Sequence, residues 1–150
     1  MIFSFLFMRS NPKNAEKKKK YFVKRSRAGL GLFAVDNFKK GEFVIEYTGK
    51  MLTEREFEAS GYKKYFFEID KHRTVDGSSR ENIARYINHS CRPNCEVRIY
   101  AQRVRIWTIR KIKPGEQFSY DYGKEYFDEY IKSVGCKCAS CRKKRKKQKI

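Results

Sequence analysis

The chain has 150 residues, of which 40% are hydrophobic and 15% aromatic, and a net charge of +19. That is enough apolar material for one buried core, which excludes a wholly disordered chain. No apolar run approaches the roughly 20 residues of a membrane helix, so no membrane partner is expected. The charge is uneven. Residues 1–27 hold nine Lys/Arg against Glu16 alone, and residues 142–150 hold seven with no acid, whereas residues 28–141 have 20 basic and 16 acidic residues. Both basic flanks read equally well as solvated tails or as arms that contact nucleosomal DNA by displacing counterions from phosphates.

Residues 1–8 are apolar but short. No basic stretch precedes them and no small-residue cleavage site follows, so they read as a start-site extension or a strand that pairs elsewhere, not as a signal peptide. Residues 11–20 read as a flexible polar arm. A strand over 21–25 leads into a two-glycine turn at 26–31, and the strand pattern resumes at 32–35. A loop at 37–41 precedes a strand at 42–47 that Thr48 and Gly49 end. Thr53-Glu-Arg-Glu56 is a capping box, in which hydroxyl and carboxylate satisfy orphan backbone donors; it predicts a short helix closed by Gly61. Residues 65–69 form another strand. Residues 96–100 and 103–109 form a hairpin turning at Ala101-Gln102, with one buried face carried by Val97 and Ile99, and by Val104 and Ile106. Residues 113–115 are a turn. Phe118, Tyr120 and Tyr122 alternate along a strand, and residues 124–132 form an amphipathic helix through Tyr126, Phe127, Tyr130 and Ile131. Many short strands with few helices make a mostly β domain.

Four features carry chemistry. Arg27-Ala-Gly-Leu-Gly31 lets backbone approach a ligand closely, although an ordinary strand connection would look the same. Asn88-His-Ser-Cys-Arg-Pro-Asn94 is a dense polar loop suited to a metal, to catalysis or to a network of turns. Phe118, Tyr120 and Tyr122 share one face, which alone would suit a core. Cys136-x-Cys138-x-x-Cys141 supplies three thiolates, and tetrahedral zinc needs a fourth ligand from among Cys91, Cys95, His72 and His89. Cysteines crowded beside a Lys/Arg run suit a metal site in a reducing, intracellular setting better than a disulfide scaffold.

Together these stretches resemble the SET-domain lysine methyltransferases. The matching text is Ser26-Arg-Ala-Gly-Leu-Gly-Leu-Phe33, Glu46-Tyr-Thr-Gly49, Asp76-Gly-Ser78, Asn82-Ile-Ala-Arg-Tyr-Ile-Asn-His-Ser-Cys-Arg-Pro-Asn94 and Gly115-Glu-Gln-Phe-Ser-Tyr-Asp-Tyr-Gly123, in family order and followed by a post-SET-like cysteine cluster. The resemblance implies a β-clip-like SET fold: small sheets around a knot-like crossing, where the C-terminal segment threads a loop near residues 88–94, with few short helices and a zinc-bound post-SET segment. It divides the chain into a basic arm (1–20), the SET domain (21–123), a C-terminal helix with zinc segment (124–141) and a basic tail (142–150).

The resemblance also implies the activity. The chain would move a methyl group from S-adenosylmethionine (AdoMet) to a lysine amine. Ala28, Gly29, Leu30, Tyr65, Asn88 and His89 would contact AdoMet, Tyr122 would be the catalytic tyrosine, and Tyr47 would line the lysine channel. Tyr120 stands where the family carries Phe or Tyr, and a tyrosine there implies mainly monomethylation. One Zn2+ would be held by Cys91, Cys136, Cys138 and Cys141, leaving Cys95 as a buried strand thiol. The two-residue gap between Cys138 and Cys141 is shorter than the family's. The substrate would be a histone tail or another lysine-rich protein. A basic enzyme repels a basic peptide unless acids such as Glu42, Glu56, Glu125, Asp128 or Glu129 line the groove; the basic tails could instead dock on DNA beside the substrate lysine. The enzyme would act as a monomer, in the nucleus on chromatin in a eukaryote or a host cell and otherwise in the cytoplasm.

Overall fold

The computed structural model describes residues 19–61 and 64–148, so residues 1–8 and most of the 11–20 arm lie outside it. Strands β1 (Tyr21–Ser26) and β2 (Gly29–Ala34) form an antiparallel hairpin. Its tight turn needs Gly29, whose φ of 104° lies where side chains are strained. β3 (Phe43–Tyr47) and β4 (Lys50–Thr53) follow, then helix α1 (Glu54–Ala59). The capping box forms as the sequence predicts: Thr53 Oγ1 accepts from the Glu56 amide, and Glu56 accepts from the Thr53 amide at 2.9 Å. The helix ends at Ala59 with Ser60 as its cap, directly before Gly61.

β5 (Phe66–Asp70) and β6 (Arg73–Asp76) complete a sheet of order β4-β6-β5, and a 3-10 turn at Ile83–Tyr86 leads to β7 (Asn88–His89). β8 (Cys95–Tyr100) and β9 (Arg103–Thr108) form the expected hairpin, turning on Ala101 and Gln102 with φ of 48° and 62°. β9 is central in the sheet β3-β9-β8. The expected buried face holds on β9, where Val104 and Ile106 are buried. It fades on β8, an edge strand whose Ile99 is exposed.

The aromatic segment is strand only at β10 (Ser119–Tyr120), which pairs in parallel with β7. Its alternation still holds in burial, since Phe118 and Tyr120 are buried while Asp121 faces solvent. This contact is the predicted crossing. Ser90 N–H donates to the Tyr120 carbonyl at 3.0 Å, and Asn94, buried, accepts from Ser119 N–H and donates to the Gln117 carbonyl, both at 2.8 Å. Beneath it Phe38 meets Phe118 edge-on at 5.2 Å among Leu32, Ile87, Val104, Ile106 and Ile112, each adding about 1.5–3 kcal/mol of burial.

The segment after β10 is less regular than the amphipathic spacing predicts. α2 (Lys124–Tyr126) passes directly into a π-helical turn at Phe127–Ile131. The last helix, α3 (Ala139–Lys147), takes in residues that read in the sequence as a charged tail. None of the helices among the described residues is long and apolar enough to cross a membrane.

Candidate functional site

The β1–β2 turn, the β7–β10 crossing and the segment around α2 converge on one cavity of about 790 Å³. All nine residues singled out for cofactor and substrate line it: Ala28, Gly29, Leu30, Tyr47, Tyr65, Asn88, His89, Tyr120 and Tyr122. Asn88 ties two of its walls together, its Nδ2 donating to the Leu30 carbonyl at 2.9 Å and to Ser26 Oγ at 3.3 Å. The glycine turn is thereby held in place by the polar loop. His89 Nδ1 accepts the Tyr122 amide proton at 3.2 Å, which leaves Nε2 to carry its proton toward Cys91 Sγ, 3.4 Å away. Burial lowers the His89 pKa against the opposing pull of the Asp121 carboxylate, so the ring is neutral at pH 7.

The tyrosines form a connected wall. Tyr122 lies 4.9 Å from the Tyr120 ring and 5.1 Å from Tyr126. Tyr122 Oη donates to the Ile87 carbonyl at 2.6 Å and Tyr47 Oη to the Tyr65 carbonyl at 2.7 Å, so each is a donor here and retains a lone pair able to accept, although Asn82 also contacts the Tyr47 oxygen. Burial raises the pKa of Tyr47, Tyr120 and Tyr122 well above the ordinary phenol value. All three are therefore neutral across the physiological range, and none can serve there as a phenolate base.

Four residues matter more than their motif positions indicated. Gly77 is pressed against Tyr47, and Asn82, buried, bridges the Gly77 carbonyl and the Thr48 amide at 3.1 and 3.2 Å. Arg85 lays its guanidinium over the Tyr65 ring at 3.9 Å and donates to the Ser78 carbonyl. That contact holds the Tyr65 pKa below its usual value, although burial opposes it. Tyr126, read in the sequence as one apolar position of a helix, donates from Oη to the Lys64 carbonyl at 2.9 Å and so joins α2 to the opposite rim. For Gly77, Asn82 and Arg85 the signal was their presence inside the quoted motifs, and for Tyr126 only its place on the amphipathic segment; the roles of all four depend on contacts between distant segments.

Beside the cavity lie Cys91, Cys136, Cys138 and Cys141, with all four sulfur atoms within 4.8 Å of one another. Cys91 Sγ is 3.8 Å from Cys136 and 3.6 Å from Cys141. Tetrahedral zinc with sulfur at about 2.3 Å requires sulfur–sulfur edges of roughly 3.8 Å, so the donor set and its spacing fit. The other candidates for the fourth ligand are placed elsewhere. Cys95 is buried in β8, His72 faces Glu54 at 3.4 Å, and His89 contacts Cys91 without joining the cluster. The short Cys138–Cys141 spacing has a local reason. Cys138 caps α3 and accepts the Cys141 amide at 3.5 Å, and one helical turn then puts both sulfurs on one side.

The acids expected along a peptide groove are mostly engaged locally. Glu42 accepts from the Lys39 amide and pairs with Lys20, Glu56 serves the capping box and Lys50, and Asp128 pairs with Lys124 and Lys132. Of the five, Glu129 lines the cavity.

This geometry agrees with the sequence comparison, in which residues 29–123 match the SET domain. The chain belongs to the SET-domain family. Similar proteins include the histone-lysine N-methyltransferase trithorax of Drosophila virilis, 38% identical over 128 residues that cover 77% of this chain and 3% of that protein. Another is the histone-lysine N-methyltransferase, H3 lysine-4 specific, of Schizosaccharomyces pombe, 36% identical over 145 residues, or 89% of this chain and 15% of that protein. Among solved structures, a humanized mutant of the Chaetomium thermophilum Polycomb Repressive Complex 2 bound to an inhibitor superposes with a TM-score of 0.63. It is 32% identical and covers 70% of this chain and 15% of that one. This SET domain thus spans only a small fraction of the length of the relatives it matches.

Proposed function

We propose that this SET domain transfers methyl groups from AdoMet to lysine side chains of a basic chromatin protein, with histone tails as the first substrate class. The observation that supports it best is the shared cavity, where the glycine turn, Asn88 and His89 meet Tyr47, Tyr120 and Tyr122. Backbone around Ala28, Gly29 and Leu30, with Asn88, His89 and Tyr65, would hold AdoMet, which when bound supplies an electrophilic methyl group on sulfur. A lysine amine with a pKa of about 10.4 is protonated at neutral pH and cannot attack. The tyrosine wall favours its neutral form by excluding water, and the proton leaves to solvent because no channel phenol can take it. Lone pairs on Tyr47 and Tyr122 accept from the amine and aim it, which is catalysis by orientation. Tyr120, next to Tyr122, restricts the space left for added methyl groups.

One Zn2+ held by Cys91, Cys136, Cys138 and Cys141 would pin the C-terminal segment, whose Val134, Gly135 and Cys136 close one side of the cavity. Relatives named for histone H3 lysine 4 make that peptide the first to try, in the nucleus of a eukaryotic cell. The enzyme is proposed to act as a monomer, and light scattering on the purified chain tests that.

The deciding experiment incubates the chain with labelled AdoMet and core histones, nucleosomes and a lysate, followed by site mapping. Transfer to lysine is expected, with monomethyllysine dominant. Tyr122→Phe should lose about 10²-fold or more in rate, the scale of a misplaced reacting group, and Tyr120→Phe should shift the product toward di- and trimethyllysine. No transfer to any protein, or mainly trimethyllysine from the native chain, would overturn the corresponding part.

A further inference from the structure

Helix α3 carries a charge pattern that the active site does not use. From Lys132 to Gln148 inclusive there are eight Lys/Arg and no acid, so this segment's charge is not neutralised from within. At 100° per residue, Cys141, Arg142 and Arg145 fall on one side of α3, and their contacts agree. Cys141 joins the cysteine cluster, Arg145 Nη2 donates to the Cys136 carbonyl at 2.7 Å, and Arg142 lines a smaller cavity beside the first. Lys143, Lys146 and Lys147 fall within an arc of about 100° on the opposite side. All three are exposed, and none has an ion pair among the described residues.

We propose that the Lys143, Lys146 and Lys147 face binds the phosphate backbone of duplex DNA, and so holds a nucleosomal substrate at the mouth of the cavity. The chromatin setting rests on the function proposed above; the DNA-binding face does not. Three observations select this partner. The face is built of lysine alone, which serves phosphates as a point charge but is depleted at protein–protein interfaces, where aromatic residues and arginine anchor binding. The helix has no apolar face to insert into a lipid surface. It also presents no aromatic ring on which unpaired bases could stack, so a duplex fits better than a single strand. Position completes the argument. Cys138, the cap of α3, is itself part of the cavity wall, so DNA on this face lies close to where a substrate lysine enters.

The test compares the full chain with the triple variant Lys143→Gln, Lys146→Gln and Lys147→Gln, which keeps helix propensity. Fluorescence anisotropy with a short labelled duplex is read over a series of salt concentrations. Losing three phosphate contacts should flatten the slope of log affinity against log salt by about 2.7. The variant should methylate a histone-tail peptide as the native chain does and a nucleosome more slowly. An unchanged salt slope overturns the proposal, as does equal loss on peptide and nucleosome. Native binding to polyglutamate or to anionic vesicles as tight as to the duplex overturns it too, by pointing to another partner class. A chain that methylates nothing, yet shows the flattened slope, would sink the enzyme reading and still support the DNA face.

Discussion

Tyr47 stands where it does because Gly77 has no side chain. A Cβ at Gly77 would fall 2.2 Å from Tyr47 Cε1 and 2.5 Å from Asn82 Nδ2, closer than atoms can pack. Gly77→Ala must therefore push the Tyr47 ring off its bond to the Tyr65 carbonyl. We expect a stability loss of about 1–3 kcal/mol by denaturant unfolding, the usual scale of overpacking. Methyl transfer should fall more than that loss would suggest, because the hydroxyl proposed to aim the amine has moved. The same phenols set the pH profile. Burial keeps Tyr47, Tyr120 and Tyr122 protonated, so the channel contributes no phenolate base between pH 7 and 9. Rate should instead follow the neutral fraction of the substrate lysine and rise about tenfold per pH unit below its pKa. A plateau beginning near pH 7 in steady-state kcat/KM would contradict this.

At the scale of elements, the C-terminal segment leans on the cysteine cluster more than on its own packing. α3 buries no residue, and its first turn is fastened by Cys138 and Cys141. If zinc binds there, a chelator should release α3 and the residues around Cys136 while the β3-β9-β8 sheet stays folded. Hydrogen exchange checks this: protection should fall across residues 136–147 and hold across β9. Uniform loss of protection would mean that the cluster supports the whole core. This division matches what was legible beforehand. The β8–β9 hairpin and the α1 capping box are local devices, and their residues announce them. The cysteine cluster was legible as a group, and the choice of Cys91 came with the family resemblance. α3 was not legible, because a run of lysines has good helix propensity in a helix and in a solvated tail alike. What sets its start is the Cys138 cap, whose sulfur accepts the Cys141 amide, and a cysteine is not among the residues that announce a cap.

At the scale of the molecule, the site exists because two short strands far apart in sequence, β7 and β10, lie side by side. β10 was legible as part of a longer alternating aromatic segment, whereas β7 was not, since its two residues show no alternation, and the pairing of the two is enforced by the loop beside them. Asn94 is the fastening. Its side chain accepts from Ser119 N–H and donates to the Gln117 carbonyl, joining the polar loop to the tyrosine segment in a buried place. Asn94→Ala strands the part-buried Ser119 amide and Gln117 carbonyl, each costing up to about 1–3 kcal/mol. The loss should exceed that of a surface asparagine change several-fold in denaturant unfolding. It should also disturb both halves of the site together, because Asn88 and His89 face the glycine turn and the thiol cluster while Tyr120 and Tyr122 wall the proposed lysine channel. AdoMet affinity by calorimetry and peptide methylation should therefore fall in the same variant. A variant that kept full AdoMet affinity while losing turnover would show that the two halves are held independently, and that the crossing is a scaffold for only one of them.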